Sequence, residues 1–254
     1  MIRFEHVAYS YDKIPFIEDM NISFEKGRIT AIIGPNGSGK STVIKLLARL
    51  LKPSRGRIIL KGQDISSIRR KLFAREISVL LQSSHIPDMT VEQAVRSGRY
   101  PYQSFLEPAS HEDQLITEQA IAMADCNWFR EKPMCQLSGG ERQRVFLAMI
   151  LAQDTPVILL DEPTAYLDIN VSYDMMELIR ELNEKMGKTV VMVLHDMNLA
   201  LNYADQVILM DQGRIVSFNS AADQGLHERI GETFGVKIQS VSQEEESQFY
   251  YLKR

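Results

Sequence analysis

The sequence is poor in the features that mark secreted, membrane-spanning and nucleic-acid-binding proteins. Its 254 residues include only two cysteines, Cys126 and Cys135, too few and wrongly spaced for a disulfide framework or a zinc site, which fits a reducing compartment. No apolar run approaches the roughly twenty residues that span a bilayer, and we expect no secretory signal in MIRFEHVAYS. A net charge of -4 without a dense basic cluster predicts no nucleic-acid partner.

What the chain does contain is the composition of a globular protein. Hydrophobic residues make up 44% of it and charged residues 24%, which suits one domain, or one domain with an inserted lobe, around a large core. The apolar runs Ile29–Ile33, Val157–Asp161 and KTVVMVL are typical of buried parallel strands. Because helical patterns separate these strands, an α/β fold is predicted.

Apolar spacing places two helices next to these strands. Their apolar positions are Val43, Leu46, Leu47 and Leu50 in the first, and Val171, Met175, Leu178, Ile179 and Leu182 in the second. Gly187 should end the second helix as its C′ residue. Between residues 83 and 154 helical stretches replace strands, which predicts an inserted helical lobe, with residues 1–82 and 155–254 forming the core.

Three further segments carry turn or loop signals. FEKGRITAII predicts a hairpin-like return into the first buried strand. ADQVILMDQGRIVSF predicts a hairpin over Asp-Gln-Gly. QEEESQ, near the end of the chain, is most simply a solvated charge run.

The stretch GPNGSGKST, directly after the first buried strand, matches the phosphate-binding pattern G-x-x-x-x-G-K-[ST]. Glycines let the backbone fold so that its N–H groups point at phosphate oxygens, and the following helix adds the positive end of its dipole. We expect Lys40 to pair with the β and γ phosphates and Ser41 to place its hydroxyl on Mg²⁺. The predicted phosphate-binding residues are Gly34, Pro35, Asn36, Gly37, Ser38, Gly39, Lys40, Ser41 and Thr42.

VILLDEPT supplies two carboxylates of the kind that nucleotide hydrolysis needs. Asp161 ends an apolar strand, where a side chain faces the ligand crevice of such sheets, and we assign it to Mg²⁺ through water. Glu162 follows directly and is the predicted general base. Alone, an Asp-Glu pair at a strand end is more often an ordinary loop start, but after a phosphate-binding loop it favours a catalytic pair.

LSGGERQ places Ser138, Gly139 and Gly140 just before the run ERQRVFLAMILA, which is apolar nearly all round and predicts a buried helix. A serine and two glycines at a helix start expose N–H groups that can bind a second phosphate. A plain serine cap with a glycine linker explains the same residues about equally well if the motif stands alone.

Taken in order, GPNGSGKST, LSGGERQ, ILLDEPT and VLHD resemble the motifs of an ATP-binding subunit of an ATP-binding cassette (ABC) transporter. The resemblance covers roughly residues 2–218. It implies one ABC ATPase domain over residues 1–254, an α/β fold in which a P-loop NTPase (RecA-like) core carries an antiparallel β subdomain and an inserted α-helical subdomain. It also implies that the chain binds and hydrolyses ATP with Mg²⁺.

The resemblance also implies a role for the second glycine-rich motif, LSGGERQ. In this family it contacts the γ phosphate held by the P-loop of a second copy, which implies a head-to-tail dimer around two ATP molecules. The further residues with implied roles are Tyr11 stacking on adenine, Gln82 reaching Mg²⁺ or the attacking water, His195 contacting the γ phosphate, and Asp168 at the subunit contact.

Less specific sequence segments indicate which subgroup of ABC transporters the chain resembles. Ala165 and Tyr166 stand where the common form of the family reads serine-alanine, and together with SGRYPYQS and HDMNLALNYAD they resemble importers of ferric siderophores, haem and cobalamin. This implies an ATPase that powers ferric siderophore uptake at the cytoplasmic face of the bacterial membrane. It would dock near Gln82–Pro101 onto a separate permease, to which an extracellular binding protein delivers the substrate.

The subgroup markers leave several functions open. The substrate could instead be haem, cobalamin or another compound, and the transporter could be an exporter. A soluble ABC protein that acts without a permease, or a nucleotide-binding scaffold that does not hydrolyse ATP, would carry the same nucleotide motifs.

Overall fold

The computed structural model describes residues 1–82, 86, 88–103, 110–165, 167–243 and 246–253. The strands are β1 (Ile2–Tyr11), β2 (Ile14–Phe24), β3 (Ile29–Ile33), β4 (Arg55–Leu60), β5 (Gln63–Asp64), β6 (Ile77–Leu80), β7 (Val157–Asp161), β8 (Thr189–Val193), β9 (Gln206–Asp211), β10 (Arg214–Ser220), β11 (Val236–Gln243) and β12 (Glu246–Lys253). The helices are α1 (Lys40–Leu47), α2 (Arg70–Phe73), α3 (Val91–Ser97), α4 (His111–Met123), α5 (Gly139–Gln153), α6 (Ile169–Met186), α7 (Met197–Tyr203) and α8 (Gln224–Phe234).

A six-stranded sheet forms the centre of the molecule, in the order β10-β9-β3-β8-β7-β6. Its strands β9, β3, β8, β7 and β6 are parallel to their neighbours, and β10 closes one edge antiparallel to β9. Alternate residues of β3, β7 and β8 enter two different hydrophobic clusters, one on each face of the sheet. Burial on both faces is why these strands read as continuous apolar runs, and the predicted α/β fold class is confirmed.

A second sheet, in the order β2-β1-β4-β5, is antiparallel throughout. It packs with α1 and the central sheet around Phe24, Ile44 and Leu159, which are fully buried. The expected hairpin-like return into β3 is wrong, because β2 pairs with β1 and the chain then crosses to the other sheet. Sequence spacing shows a reversal of direction but not which sheet the returning strand joins.

The helices α3, α4 and α5 lie between β6 and β7 in the chain and pack on one another around a core of their own. Its members include Val91, Val95, Ile121, Met134 and Val145. As the apolar sequence of α5 predicts, this helix buries residues on several sides, among them Val145, Leu147 and Ile150. One end of α5 is tied to the central sheet, since Gln153 Nε2 donates to the carbonyl oxygens of Ala74 and Ile77 at 2.7 and 3.3 Å.

The predicted helix ends are right for α6 and wrong for α1. Gly187 follows α6 in the left-handed conformation with φ of 63°, as predicted. The first helix is shorter than its apolar pattern indicates, since it ends at Leu47, and Leu50 lies beyond it with 54% of its surface exposed. Arg49 takes a positive φ of 59°, which turns the chain out of the helix before Leu50 can reach the core.

The last third of the chain contains one predicted and one unpredicted hairpin. β9 and β10 are joined by the two-residue turn Gln212–Gly213, in which both residues have positive φ, as the Asp-Gln-Gly signal predicts. β11 and β12 pair along their length, and the segment QEEESQ, expected to be a solvated charge run, includes the end of β11 and the start of β12. Asn202 on α7 holds this second hairpin, because its side chain bonds both the N–H and the carbonyl oxygen of Phe249.

No helix in the part of the chain that the structure describes combines the length and the apolar character that crossing a membrane requires.

Candidate active site

The loop between β3 and α1 lies at the carboxyl end of the central sheet, and its glycines are sterically required. A Cβ atom on Gly34 would lie 2.1 Å from the carbonyl oxygen of Met210 on β9. Gly39 has a φ of 104° and forms the N-cap of α1 without any side-chain hydrogen bond. The first N–H groups of a helix have no intrahelical acceptor, so this start can bind an anion.

Lys40 is almost fully buried inside this loop, with 5% of its surface exposed. Its Nζ donates to the carbonyl oxygens of Gly34 and Pro35 at 2.9 and 3.0 Å. Burial lowers the pKa of Lys40, and the nearby carboxylates of Glu162 and Asp161 oppose that shift. The ammonium group therefore lies at the centre of the loop, where a bound phosphate would replace the two carbonyl contacts.

Asp161 and Ser41 meet at the junction of β7 and α1. The Ser41 hydroxyl donates to Asp161 Oδ1 at 2.9 Å, and Asp161 is 3% exposed. Burial raises the pKa of Asp161, and the Ser41 hydrogen bond acts in the opposite direction. A carboxylate and a hydroxyl oxygen next to a phosphate-binding loop are the ligand chemistry that Mg²⁺ prefers, so these residues fit the ion that the sequence analysis assigns to them.

Glu162 lies between Gln82 and His195. His195 Nε2 is 2.6 Å from Glu162 Oε1, and Gln82 Nε2 donates to Glu162 Oε2. An ionised carboxylate only accepts hydrogen bonds, so this contact is a hydrogen bond to ionised Glu162 in the tautomer or charge state of His195 that carries a proton on Nε2. Two side chains thus contact one carboxylate at the mouth of the phosphate-binding loop.

Strand order explains this meeting of three residues from distant parts of the chain. Gln82 follows β6, Glu162 follows β7, and His195 follows β8, and these three strands are neighbours in the sheet. The backbone N–H of Glu162 donates to the carbonyl oxygen of Val193 at 3.1 Å, which fixes the position of the Glu162 backbone relative to β8. The carboxyl ends of parallel strands are where such sheets bind ligands.

An aromatic wall closes the other side of the loop. The Tyr11 hydroxyl lies 3.0 Å from Thr42 Oγ1, and its ring packs edge-on to Phe16 with centroids 5.6 Å apart. Tyr11 remains 43% exposed, so its ring is accessible to a planar ligand. Phe16 was not predicted from the sequence, because the mixed pattern of the strand β2 that carries it does not identify a strand.

These elements enclose a cleft of about 710 Å³, a volume that suits a nucleotide-sized ligand. Its lining residues are Tyr11, Phe16, Asn36, Gly37, Gly39, Lys40, Ser41, Thr42, Gln82, Glu162, Ala165 and His195. The cleft thus brings the phosphate-binding loop, the predicted base and the predicted adenine-stacking residue together.

Comparison with known proteins identifies the family. A family model described as ABC transporter matches residues 17–165. The chain belongs to the ABC transporter family, as an ATP-binding domain. Family membership makes it an ATP-binding protein and an ATPase, which the motifs had indicated.

Two relatives and one solved structure illustrate how far this ABC domain resembles known ones. The achromobactin transport ATP-binding protein CbrD of Dickeya dadantii (strain 3937) is 45% identical over 80% of this chain and 76% of its own. The probable siderophore transport system ATP-binding protein YusV of Bacillus subtilis (strain 168) is 43% identical over 83% of this chain and 77% of its own. The dimeric structure of MJ0796, a bacterial ABC transporter cassette, has a TM-score of 0.80 at 28% identity, covering 88% of this chain and 100% of that one.

The second glycine-rich motif of this ABC domain lies away from the cleft. Ser138 caps α5 through a capping box, in which its hydroxyl accepts from the Glu141 N–H and the Glu141 carboxylate accepts from the Ser138 N–H. Asp168 caps α6 by accepting from the Val171 N–H at 3.0 Å. Among the described residues that line the cleft, Ser138, Gly139, Gly140 and Asp168 do not appear. One chain therefore carries a nucleotide cleft and a separate exposed motif.

Some sequence markers fall outside the described residues. Tyr166 is one of them, and so are Ser104 of SGRYPYQS and residues 83–85 and 87 of the expected docking segment Gln82–Pro101. Within the described part of that segment, Arg99 is buried and donates to Asp113 Oδ1 at 2.8 Å and to the Ala152 carbonyl oxygen at 2.8 Å. This arginine, which the sequence analysis placed only in a subgroup marker, joins α3, α4 and α5.

Proposed function

We propose that this ABC domain hydrolyses ATP to power import of a ferric siderophore through a separate permease. The observation that carries the hydrolytic part is the position of Glu162, held by Gln82 and His195 at the mouth of the phosphate-binding loop. The printed names of the relatives, which refer to achromobactin transport and siderophore transport, support the choice of substrate.

In this proposal the loop holds the phosphates and Glu162 performs the proton transfer. Lys40 exchanges its two carbonyl contacts for β and γ phosphate oxygens, and the N–H groups at the start of α1 bind the same anion. Asp161, Ser41 and Gln82 would hold Mg²⁺, which neutralises charge on the phosphates. Glu162 accepts the proton of the attacking water, and His195 moves from Glu162 to the γ phosphate.

The active form in this proposal is a head-to-tail pair of chains. Ser138, Gly139 and Gly140 are absent from the described lining of the cleft, yet the helix start that they form is exposed and can accept an anion. Pairing would bring this motif of one chain onto the γ phosphate in the cleft of the other, with Asp168 at the contact. ATP would then favour the closed pair, and hydrolysis would release it.

The proposed membrane position depends on the permease, since the described part of the chain provides no spanning helix. We place the docking surface on the helical lobe near Gln82–Pro101, at the cytoplasmic face of the bacterial membrane. Substrate selection then belongs to the permease and to an extracellular binding protein.

The substitution Glu162→Gln tests the hydrolytic part of this function. Loss of a general base should lower turnover by about 10²- to 10⁴-fold, while ATP affinity stays within about twofold because the loop is unchanged. Phosphate release and an ATP titration measure the two quantities. Size-exclusion chromatography with ATP should show a longer-lived dimer.

A matched control is Glu181→Gln, which alters an exposed carboxylate paired with Lys185 on α6 and should leave turnover unchanged. Wild-type turnover in Glu162→Gln would remove Glu162 from its role. For the transport part, cells that lack this chain should lose siderophore-dependent growth in low iron, and a tagged chain should retain a membrane permease on purification. Growth and purification without either effect would contradict import.

A further inference from the structure

The first two turns of α5 contact the segment after β7 that carries Glu162 and Pro163 in the same chain. Gln143 Nε2 donates to the carbonyl oxygen of Pro163 at 2.7 Å, and Pro163 directly follows Glu162. Arg144, the next residue, pairs with Asp174 on α6 at 2.9 Å. The helix that presents Ser138 to the outside is therefore hydrogen-bonded to the segment that carries the base.

The backbone of Glu162 depends on such contacts. Its φ of 57° lies in the left-handed region, which a residue with a side chain adopts only where its surroundings hold it. The Glu162 N–H donates to Val193, and the Glu162 carbonyl accepts from the Ala165 N–H at 3.1 Å. Gln143 donates to the carbonyl oxygen of Pro163, the residue after Glu162. It thereby holds the backbone on the C-terminal side of Glu162.

Gln143 and Ser138 belong to the same short rigid segment. They are separated by about one and a half turns of helix, or roughly 7 Å along the axis. Ser138 forms the capped start of α5, and Gln143 lies in its second turn. A displacement of the α5 start is therefore transmitted to the Pro163 carbonyl without an intervening flexible joint.

We propose that Gln143 is a positioning residue that couples the position of the α5 start to the orientation of the Glu162 carboxylate in the same chain. The inference rests on the proposed function, since it needs Glu162 as base and the paired form. When the α5 start engages the nucleotide of the partner, Gln143 holds the Pro163 carbonyl and thereby the Glu162 carboxylate at its own nucleotide. ATP bound in the cleft of one chain would thus affect the position of Glu162 in the other chain.

A second glutamine on α5 provides the matched control. Gln153 also donates to backbone carbonyl oxygens of the central core, those of Ala74 and Ile77, but it lies at the opposite end of the helix. Gln143→Met and Gln153→Met remove the same amide from the same helix with little change in size. Gln143→Glu is a further variant, which sets an acceptor against the Pro163 carbonyl.

The first experiment compares kcat and KM for ATP in the full-length variants. We expect kcat to fall about 5- to 30-fold in Gln143→Met and at least as far in Gln143→Glu, with KM and the ATP dissociation constant within twofold of wild type. Gln153→Met should keep kcat within twofold, whatever its melting temperature. Equal losses of kcat in Gln143→Met and Gln153→Met would reduce Gln143 to a structural role and overturn the proposal.

The second experiment uses mixed pairs of differently tagged chains, which contain the same two substitutions in two arrangements. With Gln143→Met and Glu162→Gln in one chain, the wild-type partner keeps a base and an intact positioning contact. With the substitutions in separate chains, the remaining base lacks its contact. We expect the first pair to hydrolyse ATP faster, by about the factor found for Gln143→Met alone, and equal rates would overturn the proposal.

The two hypotheses fail differently. Wild-type turnover in Glu162→Gln contradicts the proposed function itself. Loss of turnover in Glu162→Gln together with wild-type kcat in Gln143→Met contradicts only the positioning role.

Discussion

The starts of α1 and α5 carry the two glycine-rich motifs of the chain, and they are capped in opposite ways. Gly39 precedes α1 without a side-chain hydrogen bond and is buried at the floor of the cleft. Ser138 precedes α5 in a closed capping box with Glu141 and is exposed. The first helix start leaves its N–H groups without a side-chain cap, as the proposed phosphate site requires, whereas the second is already capped and would offer its remaining N–H groups to the partner chain of the proposed pair.

This contrast explains why motifs of similar composition have different roles. The loop before α1 gains its anion-binding geometry from positive φ angles and close backbone packing, as at Gly34 against Met210. At the α5 start, a Cβ atom added to Gly139 would meet no described atom within 4 Å outside its chain neighbours and the backbone of its own helix. No close packing among the described residues therefore requires a glycine at this position, which fits the surface for a second copy that we propose.

The largest expected effect is the loss of ATP affinity when Lys40, at the start of α1, is replaced. Lys40→Ala removes a buried cation from the phosphate loop and should weaken ATP binding by about 2–4 kcal/mol, or roughly 30- to 1000-fold in Kd. Calorimetric titration with ATP measures it. Lys185→Ala, at an exposed ion pair on α6, should bind ATP as wild type does, and an unchanged Kd in Lys40→Ala would refute the assignment of this loop to phosphate.

An intermediate effect is expected at the α5 start, where a methyl group is harmless to the isolated chain. Gly139→Ala should leave the free energy of unfolding unchanged or raise it by up to about 1 kcal/mol, because alanine favours helix. ATP affinity of the monomer should also be unchanged. Hydrolysis should fall at least about tenfold, because in the proposed pair the added methyl would lie where the γ phosphate held by the partner approaches and would displace a charge-assisted hydrogen bond.

Urea denaturation and phosphate release measure the two quantities for Gly139→Ala. Wild-type hydrolysis in this variant would indicate that the motif stays clear of the nucleotide, and the two helix starts would then differ only in stability.

The smallest effect concerns the cap itself. Ser138→Ala and Ser110→Ala each remove the serine of a capping box, on α5 and α4 respectively, and each should lower the free energy of unfolding by about 1 kcal/mol. Only Ser138→Ala should also slow hydrolysis, by a few fold, because Ser110 is remote from both motifs. The comparison of urea midpoints with turnover separates capping from phosphate contact, and equal turnover in the two variants would assign Ser138 to capping alone.

The parts of the fold that sequence predicted correctly depend on local physics. Strands buried on both faces must be apolar throughout, which reveals β3, β7 and β8. Gly187 ends α6 because a glycine adopts positive φ without a steric cost. The two-residue turn between β9 and β10 is specified by the same preference.

The missed elements depend on contacts between distant segments. β2, β4 and β5 have mixed burial patterns, so their sequences resemble loops until their pairing in the antiparallel sheet is known. Phe16 was missed with β2, and Gln143 was read only as part of a motif, although its side chain bonds Pro163 twenty residues away. Leu50 shows the opposite error, since helical spacing continues in the sequence after the helix has ended.

By itself, the sequence determined the phosphate-binding loop and the buried strands, because these follow from φ preferences and from burial of neighbouring residues, whereas the roles expected of Tyr11, Gln82 and His195 came from the family resemblance. Only the tertiary structure decided which of the candidate side chains meet. Along the chain Gln82 is closer than Glu162 and His195 to the loop after β3, but the order β3-β8-β7-β6 moves His195 beside that loop and sets Glu162 between His195 and Gln82. The physical reason is that strand order is set by hydrogen bonds and packing between residues more than a hundred positions apart, such as those between β3 and β8.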